Sequence, residues 1–144
     1  MKKIIYTRPD GGLSVVHPVR NTLGETLTTD AEIEQRAWDK LPADAINPQF
    51  VEAAEIPTDR TFRNAWKAEA GNVAVDMGKA KDLTKDRLRN ERKPLLEAQD
   101  VAFQRALETG ADTLNIVKEK QRLRDITKQV DALDSLDELK ALGI

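Results

Sequence analysis

His17 is the only histidine of this chain, so acid–base or nucleophilic chemistry near neutral pH would have to turn on it. A serine triad needs a hydroxyl within reach of that imidazole, and Ser14 is the nearest in sequence. Three residues apart on a strand, the two side chains point to opposite faces. His17 therefore reads as a strand residue preceding Pro18. The sequence has no cysteine, which excludes disulfides and thiolate metal sites and leaves only carboxylates to hold a metal. Asp131, Asp134, Asp137 and Glu138 form the one acidic cluster, but they lack the glycine and spacing of a calcium loop. Helix capping and solvation account for them. Gly11-Gly12 is no phosphate loop, since neither G-x-G-x-x-G nor G-x-x-x-x-G-K occurs. Asp82 and Asp86 are paired acids on an exposed helix face, with no pocket signalled around them. The expectation is a non-enzyme with no catalytic residues, no cofactor and no metal.

Two further groups of residues suit binding better than catalysis. Lys79, Lys81, Lys85, Arg87, Arg89, Arg92 and Lys93 make the densest basic segment, set against Asp82, Asp86 and Glu91. Nucleic-acid binding would use such a patch, but these cations lie all round a helix and no aromatics interleave for stacking. A solvated helix face is the simpler reading. Phe62, Arg63 and Trp66 combine the residue types that anchor protein interfaces. Core packing is the commoner use of such aromatics in a chain with 4% aromatic residues.

The elements that would position these residues follow from periodicity. Val73-Ala-Val75 is β-type, and Asp76 is placed to cap a helix that begins at Met77. Leu88, Leu95 and Ala102 repeat at seven, as do Leu96 and Phe103, which predicts one buried stripe. Pro94 falls inside it; because the stripe keeps its phase, a kinked helix is expected rather than two helices. Gly110 should end the helix in left-handed geometry. Asp112 should cap a second helix bearing Ile116, Leu123 and Val130, flanked by Val117, Ile126 and Leu133. So short a turn predicts an antiparallel helical hairpin. Asp82 with Lys85, Lys93 with Glu97, and Glu119 with Arg122 are expected charge pairs on its outer face. Ser135 and Glu138 make a capping box for a short last helix with Leu136, Leu139 and Leu142. Two stripes alone make a thin core, so other parts of the chain, or another chain, must cover the outer apolar edges.

Upstream, Lys3–Thr7 and Leu13–His17 are β-rich runs separated by Pro9-Asp-Gly-Gly12, which predicts a β-hairpin. Asn21 to Leu27 reads as a loop. Thr29 and Glu32 open a helix with Ile33, Ala37, Trp38 and Leu41 on its buried face, and Pro42 ends it. Asp44 to Pro57 should run extended, anchored by Phe50, Val51 and Ile56. Around Phe62 and Trp66, a helical turn and a strand fit equally well. The predicted fold is α+β and mostly α, in three parts: residues 1–57, a small N-terminal β/α region; 58–76, a connecting segment with the Phe62/Trp66 anchor; and 77–144, the hairpin with its C-terminal helix.

Charge is segregated behind a formal net charge of -2. Residues 1–60 hold 7 Lys/Arg against 10 Asp/Glu, residues 78–130 hold 13 against 9, and residues 131–144 hold 1 against 4. A charged fraction of 33% suits long exposed helices better than a compact enzyme. No apolar run approaches the length of a membrane span, and the opening Met1–Tyr6 lacks a signal-peptide core. The protein is expected to be soluble and to remain in the cell that makes it, unless it leaves inside a larger particle.

Ile56-Pro-Thr-Asp-Arg-Thr-Phe-Arg-Asn-Ala-Trp66, Val75-Asp-Met77, Leu123-Arg-Asp-Ile-Thr127 and the opening Tyr6-Thr-Arg-Pro-Asp-Gly-Gly12 together resemble small proteins encoded among bacteriophage tail and tail-fibre genes. Some of these are described as tail-assembly chaperones. The resemblance spans most of the chain and brings no catalytic signature. It implies a non-enzymatic role: binding a tail, baseplate or fibre component during assembly, or remaining in the virion as a minor structural part. It places the protein in the host cytoplasm during assembly, with the virion as a second location. The residues expected to contact a partner are Phe62, Arg63, Trp66, Arg122, Arg124 and Asp125. A phage structural protein is the first expected partner and a second copy of the chain another; no membrane is expected. The alternative function is a phage-encoded regulator or inhibitor that binds a host protein or nucleic acid, with nucleic acid the less favoured of the two.

Overall fold

Ile4 and Ile5 are both fully buried, so the strand that carries them is covered on both of its faces. That strand, β1 (Lys3–Thr7), is central in an antiparallel sheet between β2 (Leu13–Val16) and β5 (Ile46–Val51). The computed structural model describes residues 1–22, 25–26 and 29–144. The predicted hairpin pairs Ile4 with Val16 and Thr7 with Leu13. Its turn is closed by the Arg8 N–H donating to the Gly12 carbonyl at 2.8 Å, with Gly11 at φ 80°. Two-residue strands β3 (Asn21–Thr22) and β4 (Glu25–Thr26) pair where a loop was expected, and Leu23, Gly24 and Leu27 of that stretch lie outside the described residues.

Each sheet face has its own cover. The helix α1 (Asp30–Asp39) opens on the complete Thr29/Glu32 capping box and turns Ile33 fully inside. Its Trp38 stacks on Phe50 with ring centroids 4.8 Å apart. Phe50 is the partner of Ile4 in the β1–β5 register, which puts α1 on the Ile4 face. Phe50 is 39% exposed, so it forms one side of an aromatic stack, and Val51 is the core anchor of β5. The extended course predicted to Pro57 stops at Val51, after which Ala53–Glu55 form a 3-10 turn. On the opposite face Ile5, Leu13 and Val51 pack with Trp66 and Val73. Those two come from a second hairpin, β6 (Trp66–Glu69) and β7 (Asn72–Val75), whose turn places Ala70 at φ 48° and Gly71 at φ 85°. Residues 58–76 thus belong to the unit formed by Met1–Asp76, where the sequence suggested a connecting segment. Arg63–Ala65 form a 3-10 turn and Trp66 begins a strand, which resolves the helix-or-strand ambiguity into one of each.

Residues 77–144 form a second unit built only of helices. The first, α2 (Met77–Thr109), runs 33 residues and continues through Pro94. It ends as predicted on Gly110 at φ 69°. The Gly110 N–H donates to the Leu107 carbonyl and the Ala111 N–H to the Ala106 carbonyl, the paired bonds of a Schellman turn. The next helix, α3 (Leu114–Asp125), has Thr113 at its N-cap, one residue later than expected. Asp112 still helps to start it, its carboxylate accepting the Leu114 N–H at 3.0 Å. Beyond Asp125 the chain tightens into a 3-10 segment, Ile126–Ala132, and Ser135 with Glu138 then caps α4 (Leu136–Ala141).

All three later segments lie along α2. Their contribution to the interior is Leu123, Ile126, Val130 and Leu139, each at most 4% exposed. The facing line on α2 is Ala80, Thr84, Leu88, Arg92, Leu96, Gln99, Phe103 and Ala106, all buried or half-buried. The heptad reading puts Leu95 inside, and the structure leaves it 42% exposed. The reason is geometric: the inward ridge advances by four from Ala80 to Leu96, so the Arg92 stem occupies the inward position and Leu95 falls on the flank. No helix among the described residues is long and apolar enough to cross a membrane.

Candidate functional site

The groups that could do chemistry are kept apart. His17 follows the end of β2 and borders a cavity of about 200 Å³ shared with Pro18, Arg36, Lys40 and Leu41, whose lining contains no carboxylate or hydroxyl side chain. Partial burial lowers the His17 pKa, and the positive fields of Lys3, Arg60 and Arg63 lower it further. Ser14 instead accepts a hydrogen bond from Arg8 Nη1 at 3.3 Å. The acidic cluster is equally dispersed. Asp131 pairs with Lys85 at 2.7 Å, and Glu138 is the reciprocal half of a capping box. Among the described residues, no three or more His, Asp or Glu side chains gather as metal ligands.

Of the three residues singled out as an interface anchor, two belong to the interior. Phe62 is 5% exposed and Trp66 2%, because the 3-10 turn after Phe62 and the start of β6 direct both rings inward. Trp66 Nε1 finds no hydrogen-bond acceptor among the described residues, so the ring is held by apolar packing alone. As an exposed aromatic anchor the pair is corrected: the rings are core, and only Arg63 reaches the surface. Arg63 lines a small cleft of about 140 Å³ with Arg8, Gly12, Leu13 and Asn64.

Arg122, Arg124 and Asp125 sit together on the last turns of α3, well apart in sequence from the Phe62 region. Arg122 forms a two-pronged bond to Glu119, at 2.9 Å and 2.7 Å, which lowers the Glu119 pKa and raises that of Arg122. Asp125 accepts from Gln121 and Lys128, and both bonds lower its pKa. Glu119 with Arg122 is an expected pair that forms. Lys85 bonds Asp131 where Asp82 was the expected partner.

The basic segment of α2 has a use that its sequence hides. Arg92 Nη1 donates to the carbonyls of Leu123 (3.2 Å) and Arg124 (2.7 Å), where α3 gives way to 3-10 geometry. Arg87 Nη2 donates to the carbonyls of Leu139 (3.2 Å) and Leu142 (2.6 Å), at the end of α4. Lys81 Nζ reaches the Asp131 carbonyl at 3.1 Å, near the end of the 3-10 segment. The last carbonyls of a helix lack intrahelical donors and carry partial negative charge, so a cation is the fitting partner. Four cations of the segment, Lys81, Lys85, Arg87 and Arg92, therefore fasten the later helices to α2.

Among the charged side chains that cover the second unit, several large apolar ones are also exposed. Leu95, Val101, Leu107, Leu114 and Val117 are 42–61% exposed, with Ala98 exposed among them. No single one is unusual, and Leu95, Val101 and Leu107, six residues apart, face different sides of α2; the five are the candidate partner contacts of this 68-residue unit. Comparison of the chain with protein-family models, with curated proteins and with solved structures finds no match.

Proposed function

We propose that this chain is a non-enzymatic binding protein of a bacteriophage, acting in tail or tail-fibre assembly or staying in the virion as a minor structural component. The observation that carries the binding role is the number of large apolar side chains, Leu95, Val101, Leu107, Leu114 and Val117, left exposed on helices whose own seam is already filled. The charge distribution supports a protein partner over a nucleic acid, because four cations of the basic segment are bonded within the unit. The choice of a tail, baseplate or fibre component rests on the resemblance carried by residues 6–12, 56–66, 75–77 and 123–127. The test is to tag the protein in an infected culture and to separate tail particles and free fibres by sedimentation. Co-migration with either, lost when Leu107 and Val117 are both changed to Asp, is the expected result. A protein found unbound at every stage of infection would end the proposal.

A further inference from the structure

The flank of α2 that Leu95 occupies is complementary to itself. Glu91, Leu95, Ala98 and Arg105 fall on one side of the helix, with Val101 at its edge, and all five are exposed. Glu91 and Arg105 stand seven residues to either side of Ala98, about 10 Å along the axis in each direction. A second copy turned end for end about Ala98 brings its Arg105 to Glu91 and its Ala102 beside Leu95, and sets the two Ala98 methyls against each other. A small residue at the crossing lets two helix axes approach to about 8–10 Å. The parallel arrangement would oppose Glu91 to Glu91 and Arg105 to Arg105, so charge selects the antiparallel one. Arg105 has no acidic partner among the described residues, whereas Glu91 has one oxygen on Arg87 at 3.0 Å and a second to give. We infer that this face of α2 is a two-fold interface between copies of the chain, centred on Ala98 and closed at both ends by Glu91–Arg105 pairs. The inference goes beyond the role in phage assembly and does not depend on it.

The absence of cysteine makes the test direct, since Ala98→Cys introduces the only thiol of this 144-residue sequence. Mild oxidation should convert this variant to a disulfide-linked dimer about tenfold faster than Asn115→Cys, at another exposed position. Sedimentation of the wild type should give twice 16.1 kDa. Arg105→Glu and Glu91→Arg should each weaken association about tenfold, and the double variant should restore it. A 16.1 kDa species at the highest concentration the protein tolerates would overturn the inference. Equal cross-linking at residues 98 and 115, or a dimer that Arg105→Glu leaves unchanged, would overturn it too. So would a monomer that binds a different phage protein through this face. Loss of co-migration with tails, by contrast, would leave the dimer standing.

Discussion

Residues 1–76 bury Ile4, Ile5, Ile33, Val51 and Trp66 around three strands, whereas residues 77–144 close over fewer apolar side chains and add cations that cross from one helix to the next. Each pairing strategy follows from the elements. A sheet presents two apolar faces, and a helix above and a hairpin below satisfy both. Helices satisfy their own backbone except at their ends, and the ends of α3, of the 3-10 segment and of α4 all fall beside α2. Its lysines and arginines reach three unsatisfied termini. Local ion pairs occur in both units, Arg8–Asp10 in the first and Arg122–Glu119 in the second; what distinguishes the second is that cations of one helix reach the carbonyls at the ends of three later segments.

Both tryptophans lie in the first unit, so their fluorescence reads it, while ellipticity at 222 nm is dominated by the second. The largest expected effect is in the second: Leu123→Ala should lower the ellipticity midpoint in urea by the equivalent of about 2–5 kcal/mol. Leu95→Ala at high dilution should cost less than about 1 kcal/mol. Equal losses would restore the heptad reading of α2 and break the comparison. Next is Arg92→Met, which keeps the apolar stem and removes the donors to Leu123 and Arg124. A loss of about 1.5–3 kcal/mol is expected, and a neutral outcome would show that packing rather than hydrogen bonding holds α3. Thr29→Ala and Ser135→Ala remove one capping box from each unit and should cost about 1 kcal/mol each. The first should be read by fluorescence and the second by ellipticity.

The smallest effects are those of pH. The His17 pKa is lowered in the folded state, so the unfolded chain binds that proton more readily. Its contribution is complete above the ordinary histidine value of about 6.5 and is lost as pH falls through the lower folded value. Asp131, lowered chiefly by its bond to Lys85, behaves likewise in the carboxylate range: its contribution is present above the ordinary Asp pKa and lost on acidification through the folded one. Acid should therefore weaken the first unit before the second. His17→Gln should flatten the fall of the fluorescence midpoint below the ordinary histidine value, and Asp131→Asn should flatten the ellipticity midpoint only in the carboxylate range.

Features decided by neighbouring residues are legible in the sequence. Both capping boxes, the Gly110 terminator and the first hairpin need only a few adjacent side chains, and each forms as read. Long-range choices are less accessible. Nothing near Asn47-Pro48 announces that β5 will pair with β1, since the strand tolerates a residue at φ 49° and a slip in register. Leu95 and Leu96 are indistinguishable in hydropathy, and an inward arginine at 92 decides between them. The same blindness conceals the binding partners of Arg87 and Arg92, because main-chain oxygens have no letter in a sequence. Phe62 and Trp66 show the converse, as an interface-like composition that the fold uses for its core.

The oxygens held by Arg87 and Arg92 are supplied by every amino acid alike. Substitutions on the outward sides of residues 114–142 can therefore accumulate without loosening the frame, provided that α2 keeps its two guanidinium groups. Such a division lets one helix stay fixed while the surface of the stretch it grips is free to vary.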